Sequence, residues 1–265
     1  IDVTVNPKPA GSASPETICS GASTSLALSS TAAGTTFTWT AAQQSGATIT
    51  GFSNCGAACG TTIAQLLTNT TNNNPGVVRY TVTPTSADGC VGNTFTVDVT
   101  VNPKPGVSVT TTPACIGVSN GSATAVVTGG SAPFSYTWSN GQNSATIINL
   151  ANASYTVTVQ DNNGCTNTAS GTVQQQGISA MTANPSACNP ATNTYSVSGS
   201  LTLVNPPTSG TLTVSIGANQ QVFNAPFNSP TNYTITGLTA DGAVHTVNAV
   251  FSGGSQCSNS INYTH

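Results

Sequence analysis

The sequence predicts an all-β chain made of tandem β-sandwich modules, and three observations favour this fold class. Only 3% of the 265 residues are charged and the net charge is −3, while Thr, Ser, Val, Asn and Gly are abundant. Thr and Val favour strands, whereas Asn, Gly and Pro favour tight turns. Short alternating segments separated by turn residues recur along the chain, and part of this pattern is an internal repeat.

The octapeptide DVTVNPKP occurs twice, at Asp2–Pro9 and at Asp98–Pro105. Its alternating valines predict the end of a strand, and its prolines predict a stiff linker, because proline cannot donate to a ladder and holds φ at an extended value. We expect the second copy to close one module and lead into the next. The first copy would close a preceding module, or donate a strand to the sheet edge of a neighbouring molecule, and the chain would be one stretch of a longer array.

A repeated Cys…Trp…Tyr…Gly-Cys pattern defines the first two modules. A tryptophan on an alternating strand can fill the space between two sheets, and a tyrosine after a turn can tie its hydroxyl to the backbone, as in immunoglobulin-like sandwiches. The Gly-containing turn then starts the final hairpin. Residues that correspond in the two modules are Cys19 and Cys115, Trp39 and Trp138, Tyr80 and Tyr155, and Cys90 and Cys165.

The predicted modules are residues 1–103, 104–176 and 177–265, joined by short Pro-containing linkers. The third module has no tryptophan but keeps the alternation, for example in TYSVSGSLTLV and HTVNAVF. Its His245 falls where Tyr155 falls in the second module. We therefore expect His245 to be an aromatic-like corner residue, in preference to a ligand or a catalytic base.

Eight cysteines and only two histidines favour disulfides, and hence an extracellular location, over a metal site. Each module has one early and one late cysteine, although the sequence alone cannot select a connectivity. A sandwich could place these two cysteines at opposite ends, too far apart for a bridge. A Cys19–Cys165 bridge would contradict the plan of self-contained modules. The preferred pairing is Cys19–Cys90, Cys55–Cys59, Cys115–Cys165 and Cys188–Cys257.

Motifs for catalysis or cofactor binding are weak. The six acidic residues are scattered singly, so no carboxylate pair is predicted. Residues Gly117–Gly121 fit GxSxG, but an Asn-Gly turn and a strand follow where a nucleophile elbow needs a helix. Asp161–Gly164 resembles a calcium loop only faintly, because the other oxygen ligands are missing. We predict no catalytic residue, no cofactor and no metal, and therefore no enzyme.

Partners of two classes are not expected. The chain has three Lys and Arg residues in total, which gives no basic patch for nucleic acid. It also has no run of about 20 apolar residues for membrane insertion.

A carbohydrate-binding surface would need exposed aromatic rings. The candidates for ligand contact are Phe223, Phe227 and Tyr233, with Phe52 as a more distant one. The first three lie in QQVFNAPFNSPTNY, where they could form a platform, but packing into a core or linker is the favoured alternative.

Residues 113–173 resemble the SprB repeat of the giant gliding-motility adhesins of Bacteroidetes. The matching residues are Cys115, Asn120–Ala123, Gly129–Gly141, Leu150 and the YTVTVQDNNGC that begins at Tyr155. The first module, with ETICSG, TFTWT, RYTVTPTSADGC and VTVNPKP, resembles PKD-like domains of surface proteins exported by the type IX system. The third module is similar to an immunoglobulin-like domain of those proteins. The resemblance implies a long extracellular, cell-surface protein without catalytic residues.

The leading hypothesis is a repeat segment of a large cell-surface adhesin or filament, which serves as a stiff spacer and contacts a surface or polysaccharide in gliding or attachment. The expected partners are neighbouring modules of the same chain, and the low charge also permits self-association into filaments. The alternative is a carbohydrate-binding or accessory module of a secreted hydrolase. A catalytic domain in the same open reading frame would favour that alternative.

Overall fold

A computed structural model describes residues 6–57, 59–71 and 73–265. These residues form strands and turns and include no helix, so the predicted all-β class is confirmed and no described helix could span a membrane. The chain divides into two compact units. The first comprises the residues up to 107 with 127–136 and 158–168, and the second comprises 108–126, 137–157 and 169–265. The predicted donor strand, Asp2–Val5, lies outside the described residues.

The N-terminal strands are short except for three. Their bounds are β1 Gly11–Ser12, β2 Glu16–Cys19, β3 Ala22–Ser23, β4 Leu26–Ala27, β5 Ser29–Ser30, β6 Thr36–Gly46, β7 Ile49–Thr50, β8 Thr62–Ile63, β9 Leu66–Asn69, β10 Gly76–Thr85 and β11 Phe95–Asn102. The main sheet has the order β2–β11–β10–β6, with β2 parallel to β11 and the other pairs antiparallel. Smaller sheets have the orders β3–β9–β7, β4–β8 and β1–β5.

The core of this region follows from the alternation of β10. Its buried side chains include Val78, Tyr80 and Val82, because successive side chains of a strand point to opposite faces. They belong to one hydrophobic cluster with Trp39 of β6 and Leu67 of β9. The tryptophan therefore fills the interior of a small sandwich, as the sequence predicts.

Seven strands follow between residues 106 and 173. Their bounds are β12 Gly106–Thr112, β13 Ala114–Cys115, β14 Gly121–Thr128, β15 Ser135–Trp138, β16 Thr146–Leu150, β17 Ala153–Gln160 and β18 Thr166–Val173. They form sheets of the orders β12–β14–β16 and β15–β17–β18, while β13 pairs elsewhere. Trp138 is buried, and its indole Nε1 donates to the Ser144 carbonyl at 2.8 Å.

The C-terminal strands form two larger sheets. Their bounds are β19 Gln175–Met181, β20 Asn184–Pro185, β21 Thr194–Val204, β22 Thr211–Ile216, β23 Asn219–Asn224, β24 Thr231–Thr239, β25 Val244–Phe251 and β26 Ser258–Thr264. One sheet has the order β23–β22–β25–β26, and the other has the order β13–β19–β21–β20 with β24 also paired to β21. Leu201, Leu212, Val247 and Phe251 belong to the core cluster of this region. The tandem immunoglobulin-like architecture is thereby established.

Candidate functional site

Three disulfide bonds are present, and they define the principal candidate site. They join Cys19 to Cys165, Cys55 to Cys59, and Cys115 to Cys257, with Cα separations of 5.5, 6.0 and 5.3 Å. The Cys55–Cys59 bridge is the one expected from the sequence. The predicted pairings Cys19–Cys90, Cys115–Cys165 and Cys188–Cys257 are wrong. All eight cysteines lie among the described residues, and Cys90 and Cys188 are unpaired.

The direction of β2 explains why Cys19 cannot bond to Cys90. Strand β2 runs parallel to β11, so that Cys19 lies opposite Asn102 at the end of β11. Cys90 lies in the turn that precedes the start of β11 at Phe95. The eight residues of β11 separate these two ends by about 24 Å, at roughly 3.4 Å per residue. A disulfide spans a Cα separation of only about 5.5 Å.

The same geometry separates Cys188 from Cys257. Cys257 directly precedes β26, and the far end of β26 lies near Ser186, whose carbonyl oxygen is 2.9 Å from His265 Nε2. Cys188 follows Ser186 by two residues. The seven residues of β26 extend for about 20 Å, at roughly 3.4 Å per residue, and Cys257 and Cys188 lie towards opposite ends of this strand.

Both long bridges obey one rule: the early cysteine of one repeat bonds to the late cysteine of the next. Cys19 and Cys115 are early cysteines, and Cys165 and Cys257 are late ones. The expectation of one bridge within each module is therefore wrong. Each long bridge instead joins cysteines of two different predicted modules, and each lies within one compact unit of the structure.

The turn that carries Cys165 is organised by Asp161. This carboxylate is buried, and it accepts hydrogen bonds from the backbone N–H groups of Asn163 at 3.0 Å, Cys165 at 2.9 Å and Ser131 at 3.1 Å. Gly164 has a φ of 80°, which the turn requires. The carboxylate thus holds a cysteine in place, and its oxygens are already used by backbone donors.

The turn that carries Cys90 has the same construction. The Ser86 N–H donates to the Cys90 carbonyl at 3.0 Å, and the Gly89 N–H donates to the Ser86 carbonyl at 3.0 Å. The corresponding bonds of the other turn run from Asp161 to Cys165 and from Gly164 to Asp161, also at 3.0 Å. The Ser86 hydroxyl accepts from the Cys90 N–H at 3.1 Å, where Asp161 accepts from Cys165.

The linker of the second octapeptide copy is packed and not free. Asn102, Pro103 and Pro105 are buried, while Lys104 is exposed. The Asn167 side chain donates to the Pro105 carbonyl at 2.9 Å, and the Ser20 N–H donates to the Asn102 carbonyl at 2.8 Å. The proline segment is therefore fixed from both sides close to the Cys19–Cys165 bond.

Around the Cys115–Cys257 bond the backbone is fixed in a comparable way. Strand β13 runs parallel to β19, with Cys115 opposite Gln176. The Ser255 hydroxyl donates to the Pro113 carbonyl at 2.6 Å. The Asn205 side chain donates to the Gln175 carbonyl at 2.9 Å. The bridge therefore lies within a hydrogen-bonded contact and not on an open loop.

The corner residues differ in what they bond. The Tyr155 hydroxyl donates to the Ala151 carbonyl at 3.2 Å, which is the predicted tie to the backbone. The Tyr80 hydroxyl instead donates to the side-chain Oε1 of Gln65 at 2.8 Å. Burial, with a smaller contribution from the Glu16 charge, raises the pKa of Tyr80 to about 12.

His245 occupies the corner position of the C-terminal region. Its Nε2 lies 2.8 Å from Oδ1 of Asp241. The two residues are four positions apart in the sequence, as are Tyr155 and Ala151. A backbone hydrogen bond from Ala243, followed by the bond to His245, lowers the pKa of Asp241. The His245 ring stacks on Tyr263 at a centroid distance of 5.7 Å. This arrangement agrees with a corner residue. No group of three or more potential metal ligands occurs among the described residues.

An open depression of about 460 Å³ lies at the loop between β23 and β24. Phe223 and Phe227 line it and are half-buried, with Phe227 packed edge-on against Phe251 at 5.3 Å. Tyr233 does not line it: the ring is 2% exposed, its hydroxyl donates to the Thr182 carbonyl at 2.7 Å, and burial raises its pKa to about 12. The prediction of Tyr233 as a ligand contact is wrong, because β24 points it into the core. Phe52 packs against the N-terminal core.

Comparison with protein families identifies two parts of the chain. Residues 16–105 match the model of the PKD-like domain, and residues 107–143 match that of the SprB repeat. Each match covers less than half of the chain, so the similarity is stated for these two segments alone. The resemblance predicted from the motifs is confirmed, although the SprB match ends before the YTVTVQDNNGC segment. These modules and the disulfides mark an extracellular repeat segment of the adhesin type.

The chain was also compared with curated protein sequences and with solved structures. No curated protein sequence matches the chain. Solved structures that resemble it include a 1.5-MDa bacterial ice-binding adhesin, at 14% identity over 98% of both chains with a TM-score of 0.29. The titin I9–I11 tandem matches at 11% identity over 98% and 97% of the chains with a TM-score of 0.32. A Bacteroides ovatus SGBP-B in complex with a mixed-linkage heptasaccharide matches at 15% identity over 98% and 71%, with a TM-score of 0.24.

The Cys19–Cys165 bridge therefore joins a residue near the start of the PKD-like match to a residue that follows the end of the SprB match. Sequence reasoning identified both cysteines but assigned each to a wrong partner. It also missed Asp161 and Ser86 as the residues that fix the late-cysteine turns. A usable signal was present, because both residues stand four positions before the cysteine and the residue before each cysteine is glycine.

Proposed function

We propose that the chain is a non-catalytic, disulfide-reinforced spacer in a large cell-surface adhesin, made of modules 1–103, 104–176 and 177–265. It holds a contact region away from the cell during attachment or gliding, and the whole protein is exported by the type IX system. One observation carries the proposal: the disulfides Cys19–Cys165 and Cys115–Cys257 each join an early cysteine of one proposed module to a late cysteine of the next. PKD-like and SprB modules are typically non-catalytic, which supports the same conclusion.

A second covalent connection changes how a joint responds to force. A proline linker alone restricts the backbone but allows the modules it joins to rotate about it. The Cys19–Cys165 bond stands beside the buried linker residues Asn102 and Pro105, so the joint is held at two places. Bending such a joint requires distortion of the packed linker as well as of the bridge.

The bridges also limit extension after unfolding. They enclose overlapping loops with sequence separations of 146 and 142 residues. When the unfolded chain is pulled from its ends, the tension follows the shortest covalent path. This path runs along residues 1–19, crosses the first bridge to Cys165, returns along the chain to Cys115, crosses the second bridge to Cys257 and ends at residue 265. This path is roughly 80 residues, or about 280 Å, against about 900 Å for the reduced chain, at roughly 3.5 Å per residue.

Single-molecule pulling tests the spacer function. Between handles at the two termini, the oxidised protein is expected to stop extending at about 280 Å, and the double variant Cys19→Ala/Cys115→Ala at about 900 Å, by the same per-residue length. The matched control, Cys55→Ala/Cys59→Ala, removes a bridge with a separation of only four residues and should extend like the parent. Equal extension of the parent and the Cys19→Ala/Cys115→Ala variant would reject a reinforced spacer.

The cellular role needs a separate measurement. In the source bacterium, an antibody to residues 10–265 should label intact cells, and deletion of this stretch from the gene should reduce attachment and movement on glass. The control is a chain with Cys188→Ala, which leaves the three bridges in place. Unchanged attachment and movement after the deletion would exclude the adhesive role.

Carbohydrate binding is the second candidate, and the depression beside Phe227 favours it. Half-buried Phe223 and Phe227 rings with the amides of Asn224, Asn228 and Asn232 combine a stacking surface with hydrogen-bonding groups. On a glycan array, Phe227→Ala should abolish any binding, whereas Phe52→Ala serves as the control outside the depression. Absence of glycan binding by the parent, or binding that survives Phe227→Ala, would remove this candidate.

A further inference from the structure

The turn that carries Cys90 can be compared with the matching turn that carries Cys165. Cys165 sits in a turn with the same backbone bonds and the same side-chain acceptor four residues earlier, and it is bonded to Cys19. Cys90 sits in the matching turn and is unbonded. A bond that matches Cys19–Cys165 would place a second cysteine beside Cys90.

The two copies of the octapeptide approach these turns along the same path. In the second copy, Pro105 is buried and its carbonyl is bonded by Asn167, two residues after Cys165. In the first copy, Pro9 is also buried, and its carbonyl packs so closely on Gly92 that a Cβ could not fit there. Gly92 is likewise two residues after the late cysteine, Cys90. Identical linkers thus contact equivalent residues.

The copies differ in what covers them. Asn102 and Pro103 are buried, and Cys19 lies opposite Asn102 on the parallel strand β2. Asn6 and Pro7, the equivalent residues of the first copy, are exposed. The Asn6 carbonyl oxygen lies 4.0 Å from the Cys90 sulfur. A strand placed beside Asn6 as β2 is placed beside Asn102 would present its cysteine to Cys90.

We propose that Cys90 is the acceptor site for an interdomain disulfide from a preceding sandwich module, whose early cysteine lies beside Asn6. The two thiols lose two protons and two electrons as the S–S bond forms. A disulfide-form thiol oxidant of the extracellular compartment accepts the electrons by exchange and is reduced to its dithiol. This bond depends only on the geometry around Cys90, so a test of it is independent of a test of the adhesive role.

A tandem protein tests the proposal directly. A second copy of residues 6–97 is joined to Asp2 of the full chain, so that Val97 of the added copy precedes DVTVNPKP as it does in the natural sequence. The expected peptide map of the oxidised protein contains a bond between Cys19 of the added copy and Cys90 of the original chain. It also retains Cys19–Cys165 and Cys115–Cys257 in the original chain.

Thiol labelling provides the control. Maleimide should label Cys90 in the parent chain. In the tandem, Cys90 of the original chain should not be labelled, and its labelling should return when Cys19 of the added copy is changed to Ala. Cys188 should be labelled in all three proteins, and proteolysis of the tandem shows whether the added copy is as resistant, and therefore as folded, as the parent chain. A folded added copy beside an unbonded Cys90, or a bond from Cys90 to another cysteine, would overturn the proposal.

Discussion

Cys19 and Cys165 are separated by 146 residues of sequence, yet their Cα atoms lie 5.5 Å apart and their sulfurs are bonded. The bond exists because β2 runs parallel to the last strand of the PKD-like domain and delivers Cys19 to the end where the linker departs. Cys165 meets it there because Asp161 fixes the turn that carries it. Two cysteines that the sequence assigns to different modules are therefore joined to each other, and both lie in the first compact unit.

Removal of this bond should destabilise the protein far more than removal of the free thiols. The double variant Cys19→Ala/Cys165→Ala should lower the free energy of unfolding by about 2–5 kcal/mol, because the bridge closes a long loop in the unfolded chain. The matched control, Cys90→Ala/Cys188→Ala, removes two unpaired cysteines and should change it by less than about 1 kcal/mol. Urea denaturation measures both, and equal losses would contradict the structural role of the bridge.

Asp161 should matter for stability and not for calcium. In Asp161→Asn an amide N–H₂ replaces an oxygen acceptor in the cluster that receives three backbone N–H groups. The expected loss in the free energy of unfolding is about 1–3 kcal/mol. Thermal melting of the parent should be the same with calcium or with a chelator. A melting temperature that rises with calcium in the parent and not in Asp161→Asn would show that the loop binds the ion.

The hydroxyl of Tyr155 should contribute a measurable corner bond. Tyr155→Phe removes the donor to the Ala151 carbonyl and leaves the ring, so a loss of about 0.5–1.5 kcal/mol is expected. Tyr136→Phe is the matched control, since no hydrogen bond from its hydroxyl is found among the described residues. Denaturation midpoints of the two variants should differ, and identical midpoints would mean that the corner bond is not needed.

The fold should lose stability at high pH through three buried tyrosines, Tyr80, Tyr233 and Tyr263, because burial raises the pKa of each. Burial raises the pKa of Tyr80 and of Tyr233 to about 12, against about 10 in the unfolded chain. Their contribution is fully present below about pH 10 and is lost as the pH rises towards 12. Tyrosinate absorbance should show three late-titrating groups, and one of them should disappear in Tyr233→Phe. Titration of every tyrosine near pH 10 in the folded protein would contradict this.

The all-β class, the inward tryptophans and the corner tyrosine Tyr155 follow from the sequence, because strand alternation and turn chemistry act over a few residues. It also located every cysteine and the Cys55–Cys59 bridge, whose partners are close in the chain. The partners of Cys19 and Cys115 follow from the tertiary structure, because they depend on β2 and β13 running parallel to strands far along the sequence. The burial of Tyr233 was decided in the same way, by which face of β24 meets the core. Local patterns fix which residues face inwards along one strand, whereas the direction and pairing of distant strands fix which residues meet.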